Sequence, residues 1–495
     1  MQKLSWRLAN KAVRNAIHSN LFWYGFLGVF VASSLLVAMT GRYSMAFDEY
    51  YHFGTIKEYA KVWAPWSVQQ PDGGAVLGSI ESDASYLYHY LMSFPYRALQ
   101  LLTNSQQTQI VILRLIDVGL VAFGLELFRR LLLRLGTPQG VAHSILAVVV
   151  LLPMTSFLAG QLTYDALLFA ITPVCLWYAV RFMRGIVYEN RFELRTSLLL
   201  VASLAAACQV KYAFLPMAAV IVLSSLFLLL RRRGRYELAL HCQIRSLFRS
   251  WRGVAVSAVL ALSLLGFVAR YGANIVQYHS PVPECVKVLT VERCRSYAPV
   301  GRDMSYHEKG YYKNVTIKDK LLYPYRWSKQ MVWESFFVVG PKHTGYALGQ
   351  PLQPAYATGA VLGVALLAVV VVGWRRLWRS GIEACLLTAV CLAYVGMLFA
   401  RNYAGYLHTG FPVAVHGRYV LHLLPVMGWL VWRVVQRTKW SRRQYLPLVG
   451  GVMLLLLMAG GGVLPYVVRS TSEWWWQGSE ALVRAIADVA GLFFR

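Results

Sequence analysis

The chain has 495 residues, of which 57% are hydrophobic and only 14% charged, and its mean hydropathy is +0.46. That composition excludes an ordinary soluble domain. The formal charge of +27 does not point to nucleic acid, because the basic residues gather in short connections between long apolar runs.

In chain order the apolar runs cover 22–40, 110–128, 141–158, 164–180, 197–210, 213–230, 254–270, 356–373, 382–400, 418–432 and 445–466. At about 1.5 Å per residue each can cross a hydrocarbon core of roughly 30 Å. The pattern predicts an all-α polytopic membrane protein with about eleven transmembrane helices. The segment 86–102 carries Tyr86, Tyr88, His89, Tyr90 and Tyr96, which suit the headgroup zone, and is predicted to lie in or dip into the outer interface. Basic clusters at 1–20, 129–134, 181–195, 231–252, 375–379 and 433–443 fall in alternate connections. They put the N-terminus in the cytoplasm and the C-terminus outside. No small-residue cleavage site follows the first run, so helix one is expected to act as its own anchor.

Two long segments then face outside, about 41–109 and about 271–355. In the first, Phe53, Ile56, Tyr59, Ala60 and Trp63 follow a helical period with Lys57, Glu58 and Lys61 opposite, which predicts a helix on the bilayer surface. The second is rich in Tyr, Lys, Arg, Gly and Pro and is suited either to covering an outer cavity or to bracing the bundle as a solvated loop. Within it Cys285 and Cys294, nine positions apart, either form a local disulfide or remain two thiols. His307 and His343 stand alone there and are expected at the surface. Residues 1–435 are expected to form the catalytic module, and 436–495 the last span plus a tail. That tail places Leu482, Ala485, Ile486, Val489, Leu492 and Phe493 opposite Glu480, Arg484 and Asp488 after Trp474, Trp475 and Trp476, an interfacial amphipathic helix.

Ionisable residues at the outer rim carry the functional signal, since such groups are costly near hydrocarbon. Asp48 and Glu49 follow helix one beside His52; Asp165 opens helix four; Lys211 lies between helices five and six; Arg270, Arg401 and Arg418 lie at helix ends. Arg at a helix end also serves as a snorkelling anchor, and Asp165 also suits a helix cap. Carboxylates beside cations at a membrane rim suit transfer from a lipid-linked sugar phosphate, the cations holding phosphate and a carboxylate taking the acceptor's proton. The aromatic residues Phe47, Tyr50, Tyr51, Trp63 and Trp66 suit a sugar face.

The stretch Phe47-Asp48-Glu49 with His52, the Asp165 turn, the pair Lys211-Tyr212 and the run His416-Gly417-Arg418-Tyr419 resemble the GT-C superfamily of polyprenyl-phosphate-sugar-dependent glycosyltransferases. That group includes the lipid A aminoarabinose transferase and the protein O-mannosyltransferases. The resemblance spans roughly residues 20–435. It implies that Asp48 is the catalytic base of an inverting transfer, with Glu49 and Asp165 as its catalytic partners. It further implies that Lys211, Arg418 and Arg270 hold the donor phosphate, and that His52, Tyr51 and Tyr212 contact substrate. Single-sugar transfer from a polyprenyl-phosphate carrier to an envelope glycan, glycolipid or protein is expected, at the extracytoplasmic face of a bacterial inner membrane. Asn314-Val315-Thr316 is a glycosylation sequon only in a eukaryotic lumen. No metal is expected to be required, although Asp48, Glu49 and Asp165 together would suit Mg or Mn. The rival classes are a transporter or flippase of lipid-linked precursors, a polysaccharide polymerase or ligase, and a non-catalytic receptor. The first usually puts its ionisable groups at the bilayer midplane on broken helices.

Overall fold

The computed structural model describes residues 15–45, 48–231, 243–245, 247–337, 371, 373–436, 467 and 472–494. The expected spans 445–466 and, up to residue 370, 356–373 lie outside these, as do Phe47, His343 and the side chains of Leu492 and Phe493. Among the described residues the structure is helical, with no strand beyond an isolated bridge between Gly41 and Trp475.

Helix α1 (Asn20–Thr40) starts at Ser19, whose hydroxyl accepts from the Phe22 amide. Helices α2 (Glu49–Tyr59) and α3 (Leu87–Leu102) follow, then α4 (Gln106–Arg134). The predicted period in α2 holds for Phe53, Ile56 and Tyr59, which are buried, but the helix ends there. Trp63 lies beyond it, exposed, with the Arg97 guanidinium 4.3 Å from its ring centroid.

The run expected to span at 141–158 is two helices, α5 (Gln139–Leu151) and α6 (Pro153–Ala159). Leu152 precedes a proline, is pushed out of the helical region, and sits extended at φ −66°, ψ 125°. Helices α7 (Tyr164–Val187), α8 (Leu194–Val210), α9 (Leu215–Arg231) and α10 (Trp251–Phe267) come next. A wide turn at Val268–Gly272 carries α10 on to Tyr278 and turns Arg270 and Tyr271 inward. The second outer segment forms α11 (Ala298–Glu308) and α12 (Ile317–Phe337), and α13 (Ile382–Thr409) returns through the bundle. The run predicted at 418–432 begins as a tight 3-10 turn, Gly417–Leu423, before α14 (Leu424–Val435). The tail forms α15 (Glu480–Phe494).

Among the described residues, five helical segments are long and apolar enough to cross a membrane: α1, Tyr212–Arg231, Trp251–Tyr278, α7 and α13. The chain is an integral membrane protein. Helix α7 is the most enclosed of them, and it packs tightly on α4 at Gly124, where a Cβ would lie 3.0 Å from the Ala170 Cα. Phe128, Phe169, Trp23, Leu387 and Trp429 join α1, α4, α7, α13 and α14 in one core. Trp474 and Trp475, expected at the interface, are buried against Val37, Met45 and Phe157. The backbone of Trp474 and Trp476 bonds to Arg42 and Thr40. On α15 the predicted apolar face is left uncovered at Leu482 and Val489.

Charged residues gather at both ends of α7. Arg134, Arg181 and Arg184 gather at one end of the bundle, Arg184 pairing with Glu383 and Arg181 with Glu193. Asp165, Lys211, Arg401 and Arg418 lie at the other end of α7, roughly 25–30 Å away at 1.5 Å per residue.

Candidate active site

After α1 the chain turns back through Asp48 into α2. Asp48 takes φ 69°, a left-handed conformation that Asp tolerates better than most residues, at roughly 1 kcal/mol. Its side chain is 60% exposed, and Oδ2 lies 3.2 Å from Arg418 Nη2.

Glu49, expected beside Asp48 at the reacting centre, points inward instead and is fully buried. Its carboxylate meets Arg114 at two points, Nε to Oε1 at 2.7 Å and Nη2 to Oε2 at 2.8 Å. It also accepts from the amides of Met45 (2.7 Å) and Leu162 (3.0 Å). Arg114 Nη1 in turn donates to the carbonyls of Ala38 and Gly41, satisfying acceptors that the end of α1 leaves open. With its oxygens so engaged, Glu49 ties the turn before α2 to α1 and α4 and faces away from solvent.

The remaining pieces converge from three places. Asp165 is in the first turn of α7, capped by Thr163; Lys211 is the extended residue between α8 and α9; Arg418 is in the 3-10 turn before α14. All three are buried. Lys211 Nζ donates to Asp165 Oδ1 at 2.6 Å, and Asp165 Oδ2, which takes no hydrogen bond among the described residues, is 4.0 Å from Arg418 Nε. Lys211 sits between the rings of Tyr164 (4.6 Å) and Tyr419 (4.4 Å), and Arg418 is 5.2 Å from the Tyr419 centroid. Two cations and two carboxylates thus form one network in which only Asp48 opens to solvent. Such a desolvated network acts strongly on any charge brought to it.

The substrate-contact residues divide. Tyr212 lines this network, its hydroxyl accepting from the exposed Arg401 and its ring 4.9 Å from that guanidinium. His52 is buried, edge-on to Tyr164 at 4.7 Å and bonded through Nδ1 to His89 Nε2 at 2.8 Å. Burial, then His89, Arg418 and Lys211, hold His52 well below its usual 6.5, and burial pushes His89 down to about 3. Tyr51 donates to Asp83 Oδ2 at 2.9 Å. Burial raises the Asp83 carboxyl, while the Ser85 amide and the Tyr51 hydroxyl oppose that rise.

Arg270, expected at the phosphate, is engaged elsewhere. Its Nη2 donates to the Pro65 carbonyl (2.6 Å) and the Tyr59 hydroxyl (3.3 Å), and its guanidinium lies 5.2 Å from the Tyr86 ring, tying the first outer segment to α10. The carboxylates that would suit a divalent ion are likewise split, because Glu49 belongs to Arg114. Among the described residues no group of three His, Cys, Asp or Glu side chains is arranged to hold a metal.

Sequence reasoning passed over Arg114 and Asp117. Asp117 is fully buried and accepts from the Tyr88 hydroxyl (2.7 Å) and the Thr163 amide (3.1 Å). The signal was two ionisable residues three apart inside an apolar run. His89 and Tyr297 were also missed; Tyr297, from the second outer segment, has its ring 6.2 Å from Tyr51.

No family model and no curated protein matches the chain. A solved structure described as ArnT from Cupriavidus metallidurans bound to undecaprenyl phosphate is similar, at 12% identity and a TM-score of 0.44, over 96% of this chain and 70% of that one. At that identity and score the likeness stands as a comparison, and the chemistry rests on this chain's own residues.

Proposed function

We propose that the protein is an inverting glycosyltransferase that moves one sugar from a polyprenyl-phosphate carrier to a hydroxyl of an envelope glycan, glycolipid or protein at the extracytoplasmic face of the membrane. The observation that carries this reading is the exposed Asp48 carboxylate held 3.2 Å from a buried guanidinium that shares its pocket with Lys211 and Asp165. A base must reach solvent and acceptor, and a leaving phosphate must find fixed positive charge; both stand side by side.

In the transfer, Asp48 takes the proton of the acceptor hydroxyl as its oxygen bonds to the anomeric carbon from the face opposite the phosphate. The bond from that carbon to the phosphate oxygen breaks, and its electron pair stays on the phosphate. Arg418 meets the growing charge with its planar donor fork, Lys211 with an ammonium that Asp165 orients, and Arg401 flanks them at Tyr212. The short motifs around Asp48, Lys211 and Arg418 support the same assignment.

The test compares lipid-linked sugars and envelope glycans by mass spectrometry in host cells lacking the protein and in cells carrying wild type or Asp48→Asn. Asn tolerates the left-handed backbone as well as Asp, so the variant removes the base and keeps the turn. The expected result is accumulation of one isoprenoid phosphate sugar and loss of a single-residue mass from one product, in the deletion and in Asp48→Asn alike. Unchanged profiles, or rescue by Asp48→Asn, would overturn the assignment.

A further inference from the structure

We propose that a cavity on the Phe53 and Lys57 flank of α2 is a saccharide-binding site that receives part of the acceptor; its link to the acceptor rests on the transferase reading, the saccharide class does not. The cavity has a volume of about 360 Å³ and lies between α2, the end of α3 and the start of α4. Phe53 and Tyr96 wall it, their rings edge to face at 5.6 Å. Around that wall stand the carboxamides of Gln100, Asn104, Gln106 and Gln109.

A carboxamide both donates and accepts, matching the hydroxyls of a saccharide that do the same, while the buried Phe53 and Tyr96 rings form a fixed floor beneath the amides. Gln109 is 7% exposed and its Nε2 is spent on the Thr103 carbonyl at 2.8 Å, which fixes Oε1 as an acceptor. Gln100 donates only a long 3.4 Å bond to the Tyr96 hydroxyl. Among the described residues Asn104 and Gln106 make no side-chain hydrogen bond, so their capacity is open to a ligand.

The charge on the lining narrows the class. No carboxylate faces the cavity, which argues against a metal ion or a basic peptide. An apolar ligand would strip four amides of water without return. Lys57 is the one charged group; its ammonium lies 5.3 Å from the Phe53 centroid and, among the described residues, pairs with no carboxylate. It adds a preference for a saccharide bearing a carboxylate or phosphate substituent.

The experiment measures binding of the purified full-length protein, in a detergent without a sugar headgroup, to an array of neutral oligosaccharides and of oligosaccharides carrying carboxylate or phosphate. A subset should bind wild type. Gln100→Ala/Asn104→Ala, whose residues are exposed, should melt like wild type and lose that binding at least tenfold. Lys57→Gln should weaken only the anionic members. Absence of any glycan bound above the level of the double variant overturns the site. If the array result holds but cells show no Asp48-dependent transfer, the site stands and the transferase reading falls. If transfer is found and the double variant keeps an unchanged acceptor KM, the site falls and the transferase reading stands.

Discussion

Asp48 and Glu49 share a peptide bond, yet one carboxylate faces solvent and the other is sealed against Arg114. Removing one charge of a fully buried pair leaves the other uncompensated, which costs about 3–5 kcal/mol, whereas loss of the exposed Asp48 charge leaves the buried Arg418 guanidinium with Asp165 still beside it. Glu49→Gln should therefore lower the melting temperature of the detergent-solubilised protein by many degrees, and Asp48→Asn should lower it clearly less. Equal melting of the two variants would remove the structural role given to Glu49. The sequence marks both carboxylates as out of place after an apolar run, but nothing local separates them. Arg114 is 65 positions away and Arg418 is 370 positions from Asp48. Burial of a charge is set by the partner that folding delivers, and residue type alone does not reveal it.

Helices α2 and α3 meet through His52 and His89, and both rings are held neutral in the fold. In the unfolded chain each takes a proton near pH 6.5. Because the folded values lie lower, the unfolded state binds more protons below that pH, so stability is full above about 6.5 and declines as pH falls toward about 3. Each ring can contribute up to about 1.4 kcal/mol per pH unit in that window. Thermal melts between pH 7 and pH 4.5 should show the decline, and His52→Asn/His89→Asn should flatten it. A decline of equal slope in the double variant would assign acid sensitivity to other groups. At this scale much was legible: long apolar periods found α1, α7, α9, α10 and α13, because burying or lipid-facing side chains is all those helices need. The break at Leu152 followed from a proline that a hydropathy average ignores. The same averaging hid Arg114 and Asp117 inside α4, where hydrophobic neighbours outweigh two charges in any window.

Across the whole molecule, segments far apart in sequence close over one end of the bundle. Cys285 and Cys294 form a disulfide, settling the alternative that spacing left open. The joined segment docks on the first outer loop through Arg293, which donates to the carbonyls of Gly73 and Pro71, while the Ala75 amide donates to the Arg293 carbonyl. Both cysteines pack on Ala75. Tyr297 follows directly, so close to Gly78 that a Cβ there would come within 3.4 Å of its ring. The disulfide thus braces the loop that carries Tyr297 toward Tyr51 and Asp83. Closing a loop of this length restrains the open state by about 2 to 3 kcal/mol. In Cys285→Ser/Cys294→Ser, hydrogen exchange across 71–78 and 291–297 should quicken by one to two orders of magnitude, while α7 exchanges as in wild type. Exchange unchanged in both loops would show that Arg293 and packing hold them without the covalent link. Faster exchange throughout α7 would show that the loops and the membrane bundle open as one unit, and that the site's wall is not separable from its floor.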